Sequence, residues 1–521
     1  MQMNRNNILA ENLRDAFSKN AENDAVSHGG NTYSYAAFTQ SSLSISHCIP
    51  DTTSDPDPVA ILGKKGFFTY AGICGSLFAS RAYMPLNLKF PTARNKKMLE
   101  LSGAQIIVAD VNAIEMLDHL LADAIQTFTI ILEEESPVLT AKYQQHQFLC
   151  PDKDAKPVSR EISSTKEDIA YLLFTSGSTG VPKGVPVSNL NVTSYLQHVL
   201  ENWDFRESDR FSQTFDLTFD LSVHDMMVCW LSGACLCIPE DDSALNTASY
   251  IRDQKITSWF SVPSMAMLMN KMRLLKENAF EKVRLSFFCG EPLPADICEK
   301  WSKATGGKEV VNLYGPSEAT IAISAYTWDE SHQKSLNGII SIGKMFTTQQ
   351  YCLLDVAKMQ QDTQKGELCL GGSQIIKEYL NDPALSEKYF IEIPGQEGSI
   401  WYRTGDLAEI DGEGDLFFLG RTDSEVKISG FRVNLYEIDG LIRKITGAQQ
   451  VATLLDEPGS QLKTFVSNDG SMDDSEIIRK CREELPWYMI PEVIIFVEEL
   501  PLNPNGKVDR KRLKQMLHEQ D

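Results

Sequence analysis

The chain has 521 residues, 42% of them hydrophobic and 23% charged, the profile of an ordinary globular protein and not of a disordered, collagen-like or coiled-coil one. At roughly 150 residues per lobe this length makes three or four lobes, enough to bury several cores with a cleft between them. Acidic residues outnumber basic ones by 71 to 49, a formal charge of −22 that repels phosphate backbones and argues against nucleic acid as a partner, though not against a small anion held by local cations.

The first segment, MQMNRNNILAENLRDAF, reads as an amphipathic helix and lacks a signal-like apolar stretch. No apolar run reaches the ~18 residues of a membrane span, so no membrane insertion is expected and a cytoplasmic location is. Eleven cysteines, an odd number without CxxC pairing, lie in apolar runs and read as small core residues in a reducing compartment. Short apolar runs such as VAILG (59–63), AQIIVAD (104–110) and FTIILEE (128–134) alternate with helix-length stretches such as TARNKKMLELSG. This alternation predicts a layered α/β architecture with partly parallel sheets.

The strand-like YLLFTSGSTG leads into Thr175, Ser176, Gly177, Ser178, Thr179, Gly180, Val181, Pro182, Lys183 and Gly184. Glycines allow a tight turn there, hydroxyls and backbone N–H groups offer donors to phosphate oxygens, and Lys183 adds a point charge. The spacing is not that of a Walker loop. Gly338–Lys344 comes nearer, but Met345 stands where a magnesium-binding hydroxyl is needed, and that reading is rejected. From about 366 the texture turns to strand and turn, with DGEGD as a hairpin turn between two alternating runs. The segments EIDGLIRKI, QQVATLLD, KTFVS, SEIIRKCREEL and EVIIFVEEL predict a small α+β domain, and VDRKRLKQMLHEQD a short charged helix. A large multi-lobed N-terminal domain (1–420), a boundary at 421–424 and a small C-terminal domain (425–521) are therefore expected.

TSGSTGVPKG resembles the signature loop of adenylate-forming enzymes, which include acyl- and aryl-CoA ligases, luciferases and nonribosomal-peptide adenylation domains. The rest of the chain follows the same family in order. Asn312-Leu313-Tyr314-Gly315-Pro316-Ser317-Glu318 is similar to N-x-Y-G-P-T-E, and Gly366-Glu367-Leu368 with the stretch to Tyr379 to its G-E-L block. Tyr402–Asp406 matches Y-R-T-G-D, and Gly420-Arg421-Thr422-Asp423 with Lys427, Gly430 and Arg432 matches the hinge block. LPWYMIP (485–491) and Asn505–Arg510 complete the order. Asn189 stands where a His is common, and Glu425 and Tyr436 replace the usual Gln and Gly.

The resemblance implies two steps: a carboxylate and ATP give acyl-AMP and pyrophosphate, and a thiol then takes the acyl group. By resemblance, Lys507 bridges the carboxylate and the α-phosphate as the catalytic lysine. Glu318 helps hold Mg2+, which favours carboxylate and phosphate oxygens. Asp406 takes the ribose hydroxyls, with Arg421 reaching the ribose or phosphate. Tyr314 lies against the adenine, with Gly290 and Glu291 on the other side. The loop Thr175–Lys183 and the segment Asn312–Ser317 complete the ATP/AMP site, and Asp423 is the hinge about which the small domain turns. The same resemblance makes the boundary at 421–424 a hinge and the small domain a mobile lid.

Phe219-Asp220-Leu221-Ser222-Val223 resembles the block of amino-acid-activating members, where the Asp pairs with the substrate ammonium; a buried carboxylate otherwise serves as a helix cap or binds water. The implied pocket comprises Asp220, Leu221, His224, Phe260, Phe287, Cys289, Leu313, Ile321, Ala322 and Lys507. It is mostly apolar, and two large phenylalanines leave little volume if they point inward. Phe288-Cys289-Gly290-Glu291 also resembles D-alanine–carrier protein ligases. A small neutral amino acid is the expected substrate, glycine first, alanine of either hand next, proline or another small residue third. The alternatives are a free CoA thioester as product, or a proline-activating enzyme. With no carrier-like segment after the lysine block, the expected thiol is that of a separate phosphopantetheinylated carrier protein, and the enzyme itself is expected to be a monomer, as in stand-alone D-alanine– and glycine–carrier ligases.

Overall fold

The computed structural model describes residues 3–51, 57–152, 159–176, 182–240, 246–355, 360–362, 364–393, 398–422, 425–448, 450–456, 461–467, 472–501 and 508–519. The chain divides into two compact units. The first takes residues 1–87, 101–173 and 184–422. The second takes 423–521 together with 88–100 and 174–183, two stretches whose grouping the sequence does not announce.

Two sheets built largely of parallel strands dominate the first unit. In the seven-stranded one, Val59–Leu62 pairs with Tyr83–Leu86 and Ile106–Ala109, and Ile106–Ala109 with Thr129–Leu132, all in parallel. Val59–Leu62, Tyr83–Leu86 and Ile106–Ala109 are buried at every position, which is why they read as continuous apolar runs and do not alternate. Helices such as Phe67–Phe78 and Ile114–Leu121 lie between these strands in the chain.

The nine-stranded sheet runs in parallel through Glu309–Tyr314, Leu285–Phe288, Ser258–Ser261, Arg210–Ser212, Cys235–Cys237 and Asp24–His28. Antiparallel strands close it at both edges. The helix Leu221–Leu231, LSVHDMMVCWL, is buried at all its positions, as an almost all-apolar helix must be. A third sheet is antiparallel, and its strands Trp401–Ile410 and Leu416–Arg421 flank the DGEGD turn.

The second unit contains the hairpin Glu425–Ile428/Phe431–Asn434 and a three-stranded sheet of Val451–Asp456, Gln461–Ser467 and Val493–Val497. Helix Leu435–Thr446 begins on an Asn434 side chain that accepts the Tyr436 N–H and ends at Gly447 with φ +70°. The left-handed φ is what selects glycine there. All eleven cysteines are thiols, nine of them buried and Cys48 and Cys150 partly so. Among the described residues no helix is long and apolar enough to cross a membrane.

Candidate active site

Strands Ser258–Ser261 and Leu285–Phe288 pair in register, so Phe260 and Phe287 stand side by side on one face of the sheet. Their rings meet edge to face with centroids 6.2 Å apart. The buried helix Leu221–Leu231 lays His224 against both, 4.6 Å from Phe260 and 5.3 Å from Phe287. Phe215 backs Phe260 at 5.0 Å, and Trp203 backs Phe287 at 5.3 Å. The two phenylalanines belong to one contiguous apolar cluster that also contains Leu221, Cys289, Leu313, Ile321 and Ala322. The structure thus brings His224, Phe260 and Phe287 together and places the other apolar candidates in the same core.

Asp220, 4% exposed, occupies the N-cap position of this helix, yet its side chain makes no capping hydrogen bond. Four residues separate it from His224, which puts both on one helix face. Burial pushes the His224 imidazole down to about 3, so it is neutral, and its Nδ1 shares a 2.7 Å hydrogen bond with the Tyr195 hydroxyl. Its Nε2 is buried without a hydrogen-bond partner among the described residues. Asp220 and Cys289 both contribute to holding the Tyr195 phenol well above its usual range, after burial, which is the larger cause.

The predicted nucleotide residues form a second group. Tyr314 ends strand Glu309–Tyr314, and its hydroxyl donates to Asp406 Oδ2 at 2.5 Å. The Arg421 guanidinium pairs with the other Asp406 oxygen and donates to the Thr404 carbonyl at 3.1 Å. The Asp406 carboxylate, 3% exposed, is therefore held by two side-chain donors. Behind it, Glu367 of the G-E-L block takes Arg403 Nη2 at 2.6 Å and the Gly405 N–H at 3.1 Å. The two motifs are a single support, a carboxylate fixing the backbone of Y-R-T-G-D.

Asn312 donates to the Ser341 carbonyl at 2.9 Å, and Leu313 is buried beside it. Gly315 has no room for a side chain, since a Cβ would stand 2.6 Å from Ala322 Cα. Pro316 precedes the short turn Ser317–Ala319, which carries Glu318. The Glu318 carboxylate is fully buried and accepts the Tyr379 hydroxyl at 2.7 Å. Gly290 takes a left-handed φ of +92° after Phe287, Phe288 and Cys289. Glu291 accepts the Ser264 N–H at 2.8 Å in the first turn of helix Pro263–Lys271, where a carboxylate also suits the helix dipole.

Among the described residues no group of three or more His, Cys, Asp or Glu is placed to hold a metal ion. Mg2+ is commonly bound through one or two carboxylates together with substrate phosphates and waters. Buried Glu318 fits such a role.

In the second unit, Ser176 is 2% exposed; its hydroxyl donates to the Arg432 carbonyl and accepts the Asn434 N–H at 3.2 Å. Thr175 Oγ1 is buried without a hydrogen-bond partner among the described residues, and Lys183 begins a strand, 7% exposed. The departures from the family pattern have local partners: Glu425 pairs with Arg432, and the Arg510 guanidinium lies 4.9 Å over the Tyr436 ring. In the first unit, Asn189 donates to the Thr165 and Asp168 carbonyls at 2.9 and 3.2 Å. Gly177, Ser178, Thr179, Asp423 and Lys507 lie outside the described residues.

Sequence reasoning missed Tyr195, which carries no motif and is found only through its bond to His224. It named Glu367 and Tyr379 as motif letters without giving either a task.

The order of the motifs and the family match make the chain an adenylate-forming ligase. The chain belongs to the AMP-binding enzyme family, whose model matches residues 13–380, with the AMP-binding enzyme C-terminal domain matching 438–507. It is similar over 98% of both chains to the crystal structure of the Vibrio cholerae adenylation domain AlmE in complex with glycyl-adenosine-5'-phosphate, at 30% identity and a TM-score of 0.87. Over 517 residues, 97% of the chain, it is 29% identical to tyrocidine synthase 3 of Brevibacillus parabrevis. Over 521 residues, 98% of the chain, it is 27% identical to gramicidin S synthase 2 of Aneurinibacillus migulanus. The chain spans only 8% and 11% of the lengths of these two synthases.

Proposed function

We propose that this enzyme activates a small neutral amino acid, glycine foremost, and passes it to the phosphopantetheine thiol of a carrier protein. The observation that carries the reading is Asp220, a carboxylate 4% exposed at the start of the helix that also bears His224, whose ring lies against Phe260 and Phe287. A carboxylate in such surroundings is best stabilised by a cation, and an α-ammonium supplies one. On this reading the rings fill the space a large side chain would need. The likeness to a domain solved with glycyl-AMP supports the same choice.

In the first step a substrate carboxylate oxygen attacks the α-phosphorus of ATP and pyrophosphate leaves. Asp220 holds the ammonium, Asp406 and Tyr314 orient the nucleoside, and Lys507 neutralises charge as it develops on the phosphate oxygens. Mg2+ held by Glu318 would offset the charge of the departing pyrophosphate. In the second step a thiolate attacks the acyl carbon and AMP leaves with the bonding pair.

ATP–pyrophosphate exchange across the twenty amino acids tests this, with glycine and alanine fastest. Exchange fastest with leucine or phenylalanine overturns the small pocket. Lys507→Ala should lower exchange by several orders of magnitude while ATP still binds, because its charge matters chiefly in the transition state. Mass spectrometry of a phosphopantetheinylated carrier should then show the aminoacyl thioester; acylation of free CoA in its place would remove the carrier from the proposal.

A further inference from the structure

Two consecutive β-branched residues, Thr320 and Ile321, hold left-handed backbone at φ +58° and +72°. Such conformations are unfavourable for β-branched side chains and persist only where neighbours impose them. Both residues are fully buried. The turn matters because Glu318 precedes it and Ile321 and Ala322, two predicted pocket residues, form its far end.

The neighbour that imposes it is Gln374. Its amide Nε2 donates to the carbonyls of Ala322 at 2.7 Å, Ala319 at 3.2 Å and Thr320 at 3.4 Å. In return the Thr320 hydroxyl donates to the Gln374 carbonyl at 2.6 Å. Gln374 is 0% exposed and is itself fixed: its N–H donates to Gln349 Oε1, and Asn191 Nδ2 donates to the carbonyls on either side, Ser373 and Ile375. Farther along the same segment, the Ile376 N–H binds the Glu318 carbonyl and Tyr379 binds the Glu318 carboxylate. One strut, residues 373–379, thus sets the height of the metal-side carboxylate and of the pocket lining at once.

We propose that Gln374 is a positioning residue for adenylation: by clamping the Thr320–Ile321 turn it fixes where Ile321 and Ala322 meet the amino acid. This rests on the reading of those two residues as pocket lining. The clamp needs the amide's N–H donors: its two hydrogens serve the Ala322 and Ala319 carbonyls, with Thr320 sharing one at 3.4 Å, while Oε1 is buried without a hydrogen-bond partner among the described residues.

The test compares Gln374→Met, which keeps the length and removes the donors, with the parent, using whichever amino acid the parent exchanges fastest. The expected result is an amino-acid KM raised about tenfold or more, an ATP KM changed by less than about twofold, and an alanine-to-glycine exchange ratio that shifts. Adding Thr320→Gly, which accepts the left-handed φ without strain, should restore most of the loss. A variant that merely loses folded protein lowers all rates together and leaves KM and the ratio unmoved; that result, or failure of the glycine rescue, overturns the role. Soluble variants with parental kinetics overturn it equally. Failure of the amino-acid-activating reading shows in the parent itself, which would then exchange with no amino acid, and the inference would fall with it.

Discussion

With its pKa pushed to about 3 in the fold, against 6.5 as the ordinary value, His224 folds neutral, and the unfolded chain takes up a proton that the native state refuses. The native state is then undersupplied with protons relative to the unfolded chain, so stability falls as pH drops from 6.5 toward 3 and is flat above that window. His198, stacked on Phe346 at 3.9 Å and lowered by burial to about 4, adds a contribution of the same sign. Buried Asp225, its carboxyl raised by burial, has the opposite sign, but it is common to parent and variant. His224→Phe should therefore lose less stability than the parent between about pH 7 and about pH 4, read from urea midpoints at each pH.

Phe260 and Phe287 invite a second test. Each is backed by other rings, so Phe→Ala should cost about 3–5 kcal/mol of stability. Ratios between amino acids do not depend on the amount of active enzyme, and these ratios should move. At ~0.8 kcal/mol per methylene newly accommodated, valine or leucine should gain tenfold or more against glycine. Asp220→Ala is the control, lowering every amino acid alike because the ammonium loses its partner whatever the side chain. Equal profiles for the parent and both phenylalanine variants would show that the rings do not border the substrate.

At the scale of elements, two antiparallel strands are joined by charge where the ladder itself is irregular. The register between Lys365–Gly371 and Trp401–Ile410 shifts between Glu367 and Cys369, and there the Glu367 carboxylate takes over, holding Arg403 and the Gly405 N–H. Arg403 keeps a side-chain exposure of 26%, so solvent screens part of the pair. Glu367→Gln should cost about 2 kcal/mol. Its functional mark should be a severalfold weaker binding of AMP by calorimetry, because Asp406 follows directly on the clamped backbone, with the amino-acid KM unchanged.

This scale also shows where a sequence is readable and where it is not. Val59–Leu62 and Ile106–Ala109 declare themselves as strands because burial on both faces leaves nothing but apolar residues, and DGEGD declares its hairpin through turn chemistry. Only motif order nominates Tyr314, Asp406 and Arg421 for the nucleotide and Glu318 for the metal; no local pattern would. What escapes are partners distant along the chain: Tyr195 lies 29 residues from His224, and Tyr379 lies 61 from Glu318. No local periodicity encodes such a pairing, since each tyrosine alone looks like core. Buried Asp225 is equally hidden, a carboxyl within a mostly apolar helix.

At the scale of the whole molecule, a formal charge of −22 makes self-repulsion a standing term in the free energy of folding. Raising NaCl from about 10 to about 200 mM shortens the Debye length from roughly 30 to under 10 Å. The melting midpoint should rise with it, measured by differential scanning calorimetry at constant pH. A midpoint that falls over this range would mean that attractive pairs such as Lys334 with Asp411 and Asp415 outweigh the repulsion.

The burial of nine thiols gives the molecule a built-in clock. Burial pushes Cys74, Cys229 and Cys298 upward, away from the thiolate that alkylating reagents need. A maleimide dye added to the native enzyme should therefore label Cys48 and Cys150 first and the rest only as fast as the surrounding structure opens. Mass spectra taken over hours would then rank the opening of each region, with Cys289 reporting on the core around Phe287, Cys352 and Cys369 on the antiparallel sheet and Cys481 on the second unit. Saturating ligand should slow Cys289 selectively, so that one unmodified protein sample reports both where it breathes and where it binds.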